Sequence, residues 1–293
     1  MKLLRYIRKT LGLKLLNVKV MLFLLLLILL PWDYSQPYLT YIEGWDYPIS
    51  WCIFPFYLAS FGFLTLFYFG IIYINSDVPF MQHINMYQVI RTGRLRWAAG
   101  QIGGIFLRSL IITLLMVLFT LLPFLGKIEW SADWGRMVYT LASERKNLSE
   151  FASASNNLDF RFYYEILDKF TPVQLMALAV ALCTLICTFL GLFMFCISLY
   201  GDRMFAMAGA LVFVLMLYFC ENFPLQKYKR FMAHFVPTYW AEIALMETRT
   251  SGYYRMSSLT YMFAFLCIAI AGMSALICLR AKHVEFEWEN EDA

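Results

Sequence analysis

At 293 residues, with 61% of them hydrophobic, 18% aromatic and a mean hydropathy of +0.62, this chain is far too apolar for a soluble domain. Its formal charge of +4 comes from basic residues placed beside apolar runs, not from one continuous patch, which argues against nucleic-acid binding and for contact with a lipid bilayer. The seven cysteines lie in or at the ends of apolar runs without metal-ligand spacing, so they read as small packing residues and imply neither a disulfide framework nor a metal site.

Residues 1–17 place Leu4, Ile7, Leu11 and Leu15 on one helical face and turn Lys2, Arg5 and Lys9 away from it, the pattern of an interfacial amphipathic helix. The apolar run at 15–32 has the basic flank of a signal peptide, but no small-residue cleavage site follows it. It is therefore expected to remain as a first transmembrane helix, with Lys19 snorkelling to the inner headgroups. Residues 33–47 carry Asp33, Glu43 and Asp46, no Lys or Arg, and many Trp and Tyr, which predicts a short outer loop with an aromatic belt. A second span is expected over 49–74.

A cytoplasmic loop over 76–104 precedes the third span, expected at 105–125. From His83 to Gly104 it is polar and basic: Arg91, Arg94 and Arg96 stand without an acidic residue, Trp97 follows them, and Gly93, Gly100, Gly103 and Gly104 punctuate the stretch. Three such guanidiniums in hydrocarbon would cost roughly 2.5–3.5 kcal/mol each, so the stretch belongs outside the bilayer core, and the positive-inside rule puts it in the cytoplasm. Met86, Val89 and Ile90 fall at helical spacing, with Trp97 seven residues on, which reads as a short amphipathic helix at the membrane surface, placed to be pushed by a partner. The other reading is a basic loop that only fixes topology. Arg108, near the start of the third span, is either a snorkelling end residue or a polar contact within the bundle.

Residues 126–171 form a long polar segment expected on the outer side. The spacing of Trp134, Met137, Val138 and Leu141, and again of Phe162, Tyr163, Ile166, Leu167 and Phe170, predicts two short amphipathic helices with a turn over 153–157 between them. Asn147-Leu148-Ser149 fits a glycosylation triplet. The fourth span is expected at 172–200, opened by Pro172 after Thr171. Gly201-Asp202-Arg203 then turns the chain into a fifth span at 204–219, where Ala206, Ala208, Gly209 and Ala210 allow close helix approach. Residues 221–258 are a second irregular outer segment, and 259–279 the sixth span. The tail, 280–293, is cytoplasmic and acidic. Its alternation of apolar and acidic residues offers Phe286 and Trp288 to a partner; otherwise it is simply solvated. With both termini inside, the short outer loop carries no basic residue, in keeping with this orientation.

The sequence contains no phosphate-binding loop, no His-Glu-x-x-His helix and no nucleophile elbow. Apart from Lys19 and Arg108, the apolar cores hold no ionisable Asp, Glu, Lys, Arg or His. Ion-coupled carriers generally need a carboxylate near midplane, so energy enters from elsewhere or no work is done.

Ile90-Arg91-Thr92-Gly93-Arg94-Leu95-Arg96-Trp97, followed by Gly100-Gln101 and a new apolar span, resembles the loop between the second and third spans of ABC-2 type permeases, the membrane subunits of ATP-binding-cassette exporters. Val236-Pro237-Thr238-Tyr239-Trp240 is similar to the Pro and aromatic patch that ends their partly re-entrant hairpin. The resemblance implies one transmembrane domain over 1–293: an all-α polytopic membrane protein of the cell (plasma) membrane, with an N-terminal interfacial helix, six transmembrane helices and a partly re-entrant segment between helices five and six. It implies that Ile90, Arg91, Gly93, Arg94, Arg96 and Trp97 couple to a nucleotide-binding ATPase subunit, and that a second copy or a related permease completes the export path. ATP and magnesium are then expected in that partner, with no cofactor bound and no reaction catalysed by this chain. The length of 126–171 departs from minimal members. A reading from another class is a polytopic sensory or interaction protein that transports nothing.

Overall fold

The computed structural model describes residues 17–76, 89–90, 92–143, 162–201, 203–223, 225–250 and 253–283. The expected interfacial helix before residue 17, most of the loop 76–104 up to residue 88, Arg91, Asp202, the glycosylation triplet, the turn at 153–157, and the tail with Phe286 and Trp288 lie outside the described residues.

Helix α1 runs Val18–Trp45, with the Asn17 side chain accepting from the Lys19 amide at 3.3 Å. It does not end near residue 32. Tyr34, Tyr38 and Ile42, spaced four apart, are buried on one face, and Tyr34 meets Phe63 edge-on at 5.6 Å while Tyr38 meets Phe162 at 5.5 Å. The stretch expected to be a loop is thus a helical extension, because part of its aromatic content is a packing face.

The expected second span is broken. Strand β1 (Ile49–Ser50) pairs in parallel with β2 (Ile128–Glu129), and α2 (Phe54–Leu58), with Pro55 in its first turn, is buried along its whole length. Ser60 restarts the chain, its hydroxyl accepting from the Phe63 amide at 3.5 Å, and α3 (Phe61–Asn75) follows. Its 15 residues extend roughly 22 Å, short of the roughly 30 Å of hydrocarbon. It packs against α1 at Gly70, where a Cβ would fall inside the Phe23 ring.

Helix α4 (Arg94–Leu121) continues through a 3-10 turn to Phe124. Residue 105, expected as the start of the third span, lies well inside it: once Gly93, at φ +83°, has turned the chain, no proline interrupts the helix before Pro123. The two short helices expected in 126–171 are present as α5 (Gly135–Ser143) and α6 (Tyr164–Leu167). Met137, Val138, Leu141, Ile166 and Leu167 are buried, Phe56 packs on Trp134 at 5.6 Å and on Phe162 at 4.6 Å, and the Trp134 indole donates to the Phe170 carbonyl at 3.0 Å. These residues cap one end of the bundle.

The most deeply buried long helix is α7 (Pro172–Tyr200). A capping box starts it: the Thr171 hydroxyl accepts from the Gln174 amide at 3.4 Å, and the Gln174 side chain accepts from the Thr171 amide at 3.3 Å. Helix α8 (Arg203–Asn222) returns, α9 (Gln226–Phe235) is short and amphipathic, and two 3-10 segments follow, Pro237–Ala241 and Ile243–Leu245. The hairpin of β3 (Arg249–Thr250) and β4 (Tyr253–Tyr254) leads into α10 (Leu259–His283). The 3-10 segment is inserted between helices: Tyr68 of α3 donates to the Thr238 carbonyl at 3.0 Å, and the Thr238 hydroxyl donates to the Phe213 carbonyl of α8 at 2.8 Å.

Five helices are long and apolar enough to cross a membrane, namely α1, α4, α7, α8 and α10, while α3 is apolar but shorter. The chain has the architecture of an all-α, multi-pass membrane protein.

Candidate functional site

The helix ends opposite the aromatic cap carry Arg94, Arg96, Arg203, Arg280 and Lys282. Asn75, the last residue of α3, accepts a hydrogen bond from Arg108, which lies fourteen residues, roughly 21 Å of helix, beyond Arg94. Helix α4 therefore runs on past the end of α3, and α7 and α10 run alongside it. A second, smaller core ties the three together: Trp97, Ala98 and Ile105 from α4, Leu192, Phe195 and Leu199 from α7, Ile277 and Ala281 from α10, with Val89 joining from before Gly93.

Of the two readings of Arg108, the structure settles on the polar contact. Its residue exposure is 4%, too little for a snorkelling end. The Asn75 amide donates to the Ile71 carbonyl at 2.9 Å, which leaves the amide oxygen turned to the guanidinium. The C-terminus of α3 also supplies the negative end of a helix dipole to a charge that hydrocarbon disfavours.

The residues expected to meet a partner divide by direction. Trp97, expected to face a partner, is fully buried and packs edge-to-face on Phe195 at 5.9 Å. This corrects its orientation. Gly93 resets the helical phase, so Trp97 aligns with Gln101, Ile105, Arg108 and Ile112 on the inward face of α4. Val89 also turns inward, while Ile90 is 70% exposed and Leu95 46%. Gly93, Arg94 and Arg96 are exposed beside them. Leu95 stands inside the motif from Ile90 to Trp97 but outside the set that the resemblance implies for coupling.

Arg94 donates to the Lys282 carbonyl at 2.9 Å, joining the start of α4 to the end of α10. Arg280 lies over the Tyr200 ring at 5.1 Å and donates to the Leu199 carbonyl at 3.4 Å, joining α10 to α7. The result is a braced basic surface with exposed apolar side chains and, among the described residues of these ends, no Asp or Glu. Such a surface suits an acidic protein face with apolar recesses. Among the described residues no group of His, Cys, Asp and Glu is placed to hold a metal ion.

A second polar centre, which a search for carboxylates within the spans does not reach, is Glu242 in the connection between α8 and α10. It is 0% exposed. Comparison of the chain with known proteins finds no matching family model, no matching curated protein and no matching solved structure.

Proposed function

We propose that this chain is the membrane subunit of an ATP-driven exporter and that a separate nucleotide-binding ATPase subunit docks on the exposed surface formed by Ile90, Gly93, Arg94, Leu95 and Arg96; Arg91, outside the described residues, belongs to the same expected set. One observation carries the reading: this basic and apolar surface is fixed to the start of α4 and braced through Trp97 to α7 and α10, so a push on it moves three long helices together. In this reading α2 and α3 together make the second of six spans, the buried segment from Pro237 is the partly re-entrant part, and both termini are cytoplasmic in the plasma membrane. A second permease completes the path, and ATP and magnesium are held by the ATPase.

The test is copurification with a candidate nucleotide-binding ATPase subunit, together with stimulated ATP hydrolysis. Ile90→Asp and Arg96→Glu place negative charge on the docking face, where like-charge juxtaposition costs several kcal/mol. Both are expected to abolish association at unchanged membrane level and melting temperature. If both variants copurify and stimulate hydrolysis like the parent, the surface is a topology determinant; if the parent itself captures no ATPase, a sensory or interaction role replaces transport.

A further inference from the structure

Glu242 separates the two 3-10 segments in the connection between α8 and α10, outside every membrane-length helix. Neither of its carboxyl oxygens accepts a hydrogen bond from a described donor. The carboxyl of Glu221, near the end of α8, lies within side-chain hydrogen-bond reach of it. Glu221 is in turn gripped by Arg255, whose guanidinium donates to both oxygens at 2.7 Å.

A buried carboxylate without a donor is strongly disfavoured. Two carboxylates are both acceptors, so they bond to each other only when one carries a proton. We propose that Glu242 and Glu221 form a proton-binding site in which one proton sits on Glu242, its O–H donates to the Glu221 carboxylate, and the Arg255 guanidinium balances that charge. Acid, carboxylate and guanidinium then form a row with no net charge. Release of the proton sets two negative charges against each other beside the segment from Pro237 to Leu245.

The surroundings support this assignment. Cys220 and Glu221 of α8, Lys229 of α9, Tyr239 of its own segment, Tyr68 of α3 and Arg255 of the loop before α10 lie within electrostatic range of the carboxyl. Burial, and then the Glu221 charge, push the Glu242 carboxyl well above the usual carboxylate range, with Arg255 and Lys229 pulling the other way. The Lys229 ammonium is itself pushed down, by burial first and by Arg255 next. The folded carboxyl therefore holds its proton more tightly than the unfolded one, whose ordinary value is 4.5. Its stabilisation is full below that value and is lost as pH rises through the folded value. A titratable carboxyl is thus brought against the bundle by a connection, although the spans carry none in their cores.

The experiment uses the full chain in detergent or nanodiscs and reads the infrared C=O stretch of protonated carboxyl groups. At neutral pH the parent is expected to show an acid band that disappears in Glu242→Gln and shifts in Glu221→Gln. The melting temperature of the parent falls from mildly acidic to alkaline pH, whereas that of Glu242→Gln is nearly flat. Loss of no acid band in Glu242→Gln, or a pH slope of melting equal to the parent's, overturns the proposal. Should Glu242→Gln fail to fold, the parent's own infrared titration decides, since absence of an acid band at neutral pH refutes it. These readouts need no ATPase and no substrate, so they fail or succeed independently of the exporter reading.

Discussion

Arg94 and Lys282 are joined across 188 positions of sequence: the guanidinium donates to the Lys282 backbone carbonyl at 2.9 Å and so caps α10 from the start of α4. The site is exposed, which limits the bond to about 1 kcal/mol or less. Arg94→Ala is expected to leave global stability almost unchanged while speeding amide hydrogen exchange in the last turn of α10. Equal exchange rates in parent and variant would mean that the cap contributes nothing in solution.

Trp97 belongs to the folding of the basic end and not to its exposed surface. Trp97→Ala removes a fully buried ring that packs on Phe195, and the expected loss is about 3–5 kcal/mol. Trp97→Phe keeps most of the contact and should lose clearly less. Thermal unfolding in detergent measures both, and a loss below about 1 kcal/mol for the alanine variant would contradict the buried placement.

Arg108 and Asn75 should respond unequally to removal. Asn75→Leu withdraws one acceptor from a buried guanidinium and is expected to destabilise by about 3 kcal/mol, the upper end for a buried hydrogen bond to a charged group. Arg108→Leu removes the charge itself and strands only a neutral amide, at about 1–3 kcal/mol. Melting temperatures of the two variants settle the order, and a milder effect for Asn75→Leu would refute the account.

Gly70 and Phe23 hold α1 and α3 close. A Cβ at Gly70 overlaps the Phe23 ring, so Gly70→Ala is expected to cost about 1–3 kcal/mol by overpacking. Phe23→Leu in the same chain should recover part of that loss. A double-mutant cycle measures the coupling, and strict additivity of the two changes would show that the helices are not in contact there.

The long apolar helices were legible in the chain itself, because hydropathy and length answer to the solvent, and the solvent acts on each segment locally. The start of α7 was legible too, since Thr171, Pro172 and Gln174 satisfy their own backbone groups without help from distant residues. So were α5 and α6, whose buried residues recur at helical spacing. By contrast, the extension of α1 past residue 32 rests on Tyr34 and Tyr38 meeting Phe63 and Phe162, which no local pattern announces. The break between α2 and α3 was hidden inside a run of apolar residues that reads equally well as one helix. Trp97 looked like an anchor for a partner because it closes a polar run with three arginines, and only the phase set at Gly93 and the presence of Phe195 turn it inward. The same holds for Glu242: its residue type was visible, but its loss of water was not. Burial of a side chain in a connection depends on which helices close over it, and those contacts join residues far apart in the sequence.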